Sequence, residues 1–139
     1  MLVVSPYEDD FLAVKPVFGP AGRLERCLTF AEARQSLHSN GAAILVVERD
    51  LPDGCWQDLL DEISHLQNPP VLIVTSRFAD EHLWAEVLNL GGYDVLQKPL
   101  EKNEVSRVLT MAWRQWRGRM EPAPELIAST ATAAQCGSV

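Results

Sequence analysis

Apolar runs and helical spacings alternate along the whole chain. Leu2-Val3-Val4, Ile44-Leu-Val-Val47 and Val71-Leu-Ile-Val-Thr75 are unbroken and rich in β-branched residues. Such runs fit strands buried on both faces, as in a parallel sheet with helices above and below. Two weaker strands complete the set. Arg23–Leu28 carries charges between Leu24 and Leu28 and reads as an edge strand, and Asp94-Val-Leu-Gln97 is short.

Between the strands the period changes to that of a helix. After the first strand, Ser5 is the expected N-cap, Pro6 suits the first helical position and Glu8 completes a capping box. Glu8, Asp9 and Asp10 then favour the positive end of that helix. Phe11, Leu12 and Val14 continue it, and Pro16 is expected to kink or end it early. Gly19-Pro-Ala-Gly22 is a loop. Thr29-Phe-Ala-Glu32 opens a second helix through His38, stopped by Asn40-Gly41. Trp56, Leu59, Leu60, Ile63 and Leu66 form the third helical face, closed by Asn68-Pro-Pro70. Ser76–Asp80 is a loop. Leu83, Val87 and Leu90 mark a fourth helix over Glu81–Leu90, ended by Gly91-Gly92. Asn103–Arg117 is the fifth, with Val105, Val108, Leu109, Ala112 and Trp116 on one side.

Five strands alternating with five helices predict one α/β domain with helices on both faces of a parallel sheet. The 139 residues, 47% of them hydrophobic, suffice for a single core. With 12 basic and 19 acidic residues the net charge is −7, which weighs against nucleic acid as a partner. No apolar stretch approaches the length of a membrane span, and Leu2-Val3-Val4 follows no basic region or long apolar segment, so no signal peptide is expected. Cys27, Cys55 and Cys136 are odd in number and far apart, so a reducing cytoplasm is expected rather than a disulfide framework. His38, His65 and His82 lack metal-ligand spacing and read as surface residues. Cys55 falls near the start of the third helix, where the dipole can activate a thiol; a bland half-buried Cys is the commoner case.

Ligands of open α/β sheets gather at the carboxyl ends of the strands. Here that edge carries Glu48, which ends the third strand four residues before Pro52, and Thr75, which ends the fourth. Lys98 follows the fifth strand and precedes Pro99. Glu48-Arg-Asp-Leu-Pro-Asp-Gly54, Val74-Thr-Ser76, Lys98-Pro99 and Gly91-Gly-Tyr-Asp94 together resemble the motifs of bacterial response-regulator receiver domains, over about residues 1–117.

The resemblance implies a flavodoxin-like fold: a five-stranded parallel sheet of order 2-1-3-4-5. In that family two acids after strand one hold Mg²⁺, an Asp ending strand three takes the phosphoryl group, and Thr or Ser and Lys complete the site. Thr75 and Lys98 match. Four positions depart from the pattern. Ser5 and Pro6 stand at the acid pair, Glu48 stands at the phosphoacceptor, and Val95 stands at the aromatic switch position.

These departures bear on one transition state. Mg²⁺ needs hard oxygen ligands, commonly carboxylates, and neither Ser5 nor Pro6 supplies one. Phosphoryl transfer depends on positioning and charge neutralisation, and Glu48 is a methylene longer than Asp. The expectation is therefore a stand-alone pseudo-receiver, neither an enzyme nor a metal-binding protein. It would act in two-component or phosphorelay signalling by contact with a histidine kinase or output protein. Glu48 would pair with Lys98, either as an imitation of a charged acceptor or as a plain salt bridge. Glu8, Asp9 and Asp10 are read chiefly as helix N-terminal acids rather than as a rescued metal site. One rival is a phosphorylatable receiver using the loop acids Asp50 or Asp53. Another is a nucleotide- or flavin-binding protein of similar fold, which Ser5-Pro-Tyr-Glu8 disfavours because it lacks a glycine-rich phosphate loop. Trp84, Tyr93, Trp113 and Trp116 are expected to share one side, formed by helix four, strand five and helix five. That side is the expected surface for a partner or a homodimer.

Past residue 118 the composition turns to Pro, Ala, Ser and Thr without periodicity. Residues 1–118 are expected to form the domain and 119–139 a flexible tail. A chain ending at residue 119 should then unfold within about 1–2 kcal/mol of the full chain, as thermal denaturation would measure. A larger loss would show that the tail is docked.

Overall fold

The strand Ile44–Glu48 (β3) is buried at every residue and lies at the centre of the sheet. The computed structural model describes residues 1–18 and 22–120; of the expected tail 119–139, residues 119 and 120 are helical and the rest lies outside the described residues. Leu2–Val4 (β1) pairs with β3 on one side and with the edge strand Glu25–Cys27 (β2) on the other. Val71–Ser76 (β4) flanks β3 opposite β1, and Asp94–Gln97 (β5) forms the far edge. Counting these strands of the main sheet, the order is β2-β1-β3-β4-β5 and every pairing is parallel. This is the flavodoxin-like arrangement expected.

Alternation along each strand divides the core in two. Val4, Leu45, Val47, Leu72 and Val74 face helices Phe30–Ser39 (α2), Trp56–Ile63 (α3) and Glu81–Leu90 (α4), meeting Leu37, Leu59, Ile63, Leu83 and Val87. Val3, Ile44, Val46, Ile73 and Leu96 face Glu8–Phe18 (α1) and Lys102–Met120 (α5), meeting Val14, Val105, Val108 and Leu109. Glu48, Thr75 and Lys98 continue the second set in steps of two. The side chains at the strand ends are thus aimed toward the α1 face.

Several local expectations need correction. Helix α1 begins at Glu8, so Ser5 is not its N-cap. The Ser5 hydroxyl accepts from the Tyr7 N–H at 3.1 Å and donates to Asp10 at 2.6 Å, which holds the intervening turn outside the helix. Pro16 lies inside α1 and does not end it. The carbonyl it leaves without a helical donor is that of Leu12, an exposed residue whose backbone water can reach. Helix α3 stops at Ile63, short of Leu66, while α5 runs past Arg117 to Met120. Asp50–Leu51 and Gly54–Cys55, expected as plain loop, pair as a short antiparallel ribbon.

The predicted N-cap of α2 forms, and α4 has one at Asp80, a residue read from the sequence only as loop. Thr29 accepts from the Glu32 N–H at 3.2 Å and Asp80 from the Leu83 N–H at 2.8 Å. Gly91 ends α4 with φ at +111°, a left-handed conformation that glycine adopts without Cβ strain. Among the described residues no helix is long and apolar enough to cross a membrane.

Ile73 is completely buried at the α1–α5 face, whereas Leu12 is 50% exposed. Ile73→Ala should cost about 2–5 kcal/mol through lost transfer energy and the cavity left behind. Leu12→Ala should stay within about 0.5 kcal/mol. Urea denaturation of both variants checks this, and comparable losses would contradict the core assignment.

Candidate functional site

At the carboxyl edge of the sheet three charged side chains converge. The Lys98 ammonium lies 2.5 Å from Glu48 Oε2 and 2.7 Å from Asp10 Oδ2. The three side chains are between 6 and 9% exposed. Thr75 Oγ1 donates to Glu48 Oε2 at 3.3 Å, and Ser5 Oγ donates to Asp10 Oδ2. Each inward carboxylate oxygen therefore receives one hydroxyl and one share of the same ammonium. The Tyr7 ring covers Lys98, with Nζ 4.5 Å from its centroid, and Arg77 approaches that ring at 6.0 Å. A cavity of about 500 Å³ opens beside the cluster, lined by Tyr7, Asp9, Asp10, Ala13, Arg77, Lys98, Pro99 and Leu100.

The register explains this convergence. Glu48 pairs with Thr75 in the β3–β4 ladder, and Lys98 follows Gln97, whose partner in β4 is Ser76. All three side chains meet on the α1 side, and the first turn of α1 supplies Asp10. Two negative charges face one positive charge away from water. Burial pushes the Glu48 carboxyl above its usual 4.5, the neighbouring Asp10 adds to this, and the hydrogen bonds and charge of Lys98 and Thr75 only partly offset the rise.

Asp10, read chiefly as a helix N-terminal acid, does lie in the first turn of α1 and is in addition buried to 4% exposure within the cluster. A signal for it exists in the sequence. Asp10 stands four residues before Val14, so the two share a helix face, and Val14 is fully buried. Ser5 does occupy the strand-one edge, where it holds an acid instead of being one. Pro6 contributes only its carbonyl, 3.4 Å from Arg26 Nη2.

The loop acids lie elsewhere. Asp50 is exposed. Asp53 accepts from the Phe30 and Ala31 N–H groups at 2.7 and 3.1 Å and so clamps the start of α2. These bonds, that to Phe30 foremost, hold its carboxyl below the usual range. Cys55 stands at the N-cap of α3, and burial with nearby Glu25 and Glu32 raises the Cys27 thiol to about 11, far from thiolate chemistry at neutral pH. His38 pairs with Glu62 at the surface, and His65 and His82 are exposed.

The four aromatic residues do not share one surface. Trp84, on α4, is 50% exposed and donates to Asp94 Oδ1 at 3.2 Å. Trp113 lines a groove with Val17 and Phe18 of α1, on the other flank of α5. Glu104 marks the flank of α5 toward α4; nine residues on is about two and a half turns, which puts Trp113 on the opposite side. Trp116 stacks on Trp113 at 5.5 Å, and both Trp116 and Tyr93 are partly buried against the α1–α5 core.

Both inward oxygens are already engaged by Lys98 and a hydroxyl. Among the described residues no group of three or more Asp, Glu, His or Cys comes together as a metal site.

The raised Glu48 value gives a signed expectation. The usual 4.5 of an unfolded Glu48 and the raised value of the folded one bound a pH window. In that window the folded state binds more protons, so its stability falls as pH rises. The stability of wild type minus that of Glu48→Gln should decline from pH 4.5 upward and level once Glu48 is ionised. Denaturant titrations across pH would measure it; a difference that stays flat or grows with pH would contradict the assignment.

No protein-family model matches the chain, and no curated relative matches it. Solved structures do. The chain resembles a signal receiver domain from Vibrio parahaemolyticus, with a TM-score of 0.78 at 18% identity over 86% of this chain and 92% of that one. It resembles the signal receiver domain of an HD domain-containing protein from Pseudomonas fluorescens Pf-5, with a TM-score of 0.75 at 22% identity over 86% and 89%. It also resembles the beryllofluoride-activated NtrC4 receiver domain dimer, with a TM-score of 0.75 at 19% identity over 83% and 96%. At these identities the likeness is one of fold: the chain has the five-stranded α/β fold that these receiver domains share.

Proposed function

We propose that this chain is a receiver-type module of two-component signalling that works by protein contact, without phosphorylation and without enzymatic activity of its own. The observation that carries this reading is the Lys98 ammonium, bound at once to Glu48 and Asp10. Phosphoryl transfer to a carboxylate needs cations free to neutralise the phosphoryl oxygens. Here the one buried ammonium is engaged by two carboxylates, and the position of the acceptor is held by the longer Glu48. The partners in this reading are a histidine kinase or an output protein, met in a bacterial cytoplasm.

The rival acceptors are disfavoured by their surroundings. Asp53 is engaged by two backbone N–H groups, and Asp50 is exposed to water, whereas Lys98 is buried. A phosphate-cradling loop after β1 is disfavoured because the Tyr7 N–H is already used by Ser5.

Incubation of the full chain with a small phosphodonor and Mg²⁺, followed by intact mass measurement, should show no added phosphate. An adduct lost in Glu48→Ala would overturn the proposal by showing that Glu48 can be the acceptor. An adduct that survives Glu48→Ala but disappears in Asp50→Ala or Asp53→Ala would overturn it in favour of a loop acceptor.

A further inference from the structure

The buried cluster sets two carboxylates against a single ammonium at the sheet edge. Its two acids come from different elements, α1 and β3. They meet through a side chain of the same protein, 2.7 and 2.5 Å away. Asp10 Oδ2 is completed by Ser5 and Glu48 Oε2 by Thr75. The remaining side of the ammonium is closed by the Tyr7 ring at 4.5 Å, an aromatic face that favours a cation. A divalent ion such as Mg²⁺ keeps several waters and needs free oxygen lone pairs. An ammonium with three donors fits two carboxylates and an aromatic face.

We propose that Lys98 is the resident cation of this site, and that Asp10 is the positioning residue that keeps its ammonium where carboxylate clusters otherwise admit a divalent ion. The site is then built for one internal monovalent cation and is indifferent to divalent metals. Lys98, Glu48 and Asp10 would form a permanent link among the end of β5, the end of β3 and the first turn of α1. Ser5 serves the same end, since its hydroxyl orients Asp10 toward Lys98. Removing the ammonium would leave two buried carboxylates facing each other, and a divalent ion would become the best available substitute.

Two measurements on the full chain test this, neither using a phosphodonor, so the role of Lys98 and the signalling reading fail separately. The first is a Mn²⁺ titration followed by electron paramagnetic resonance. Wild type and Glu48→Gln should bind Mn²⁺ alike, through surface acids only. A site present in wild type and lost in Glu48→Gln would overturn the proposal. The second is Lys98→Met, which should bind Mn²⁺ about tenfold or more tightly than wild type. Mn²⁺ should raise its unfolding temperature and leave that of wild type unchanged, and adding Asp10→Asn should abolish the response. Equal responses of Lys98→Met and wild type, or none in either, would overturn the proposal. If Lys98→Met does not fold, the comparison of wild type with Glu48→Gln decides.

Discussion

One ammonium shared by two carboxylates sets the constraint at the working edge of this protein. Lys98, Glu48 and Asp10 come from three separate segments, and none is stable there without the others. A buried charge left without its partner costs several kcal/mol, roughly 3–5, more than an intact pair contributes. The arrangement therefore does less to raise stability than to specify geometry. It explains why α1 starts at Glu8 and not at Pro6. The turn from Ser5 to Tyr7 is spent on bringing Asp10 inward, with the Ser5 hydroxyl bonded at both ends of that turn.

A second carboxylate organises the opposite side. Asp53, in the turn of the short ribbon after β3, accepts from two N–H groups at the start of α2. Those N–H groups belong to the first turn of a helix and have no partner within it. The loop after β3 is thus tied to α2 on the outside, while Glu48 is tied to α1 and β5 on the inside. Rearrangement at Glu48 would be felt on both faces of the sheet through these ties.

The surfaces follow the same division. Trp84 belongs to α4, over the face where α2 and α3 pack. Trp113 belongs to the groove between α5 and α1, over the other face. The two exposed tryptophans therefore address different neighbours, and a single aromatic docking face does not account for both.

Much of the architecture was legible in the residues themselves. Unbroken apolar runs identified β1, β3 and β4 because a strand covered on both sides has no solvent face to mark with polar residues. Thr29 and Gly91 announced helix ends because capping is a local interaction between a side chain or a backbone angle and the next turn. Glu48, Thr75 and Lys98 were legible as a group because strand ends and their following loops carry recognisable spacing. What the sequence did not disclose depends on contacts between distant segments. Asp10 looked like any acid at a helix start until the packing of α1 over the sheet carried it to Lys98, 88 positions away. Asp53 looked like a free loop acid until α2 presented two N–H groups to it. The direction of Trp113 depended on how α5 is rotated against α1, which the helical period fixes only relative to its neighbours on the same helix. Local rules act over three or four residues, and these choices were made by burial and charge pairing across the whole domain.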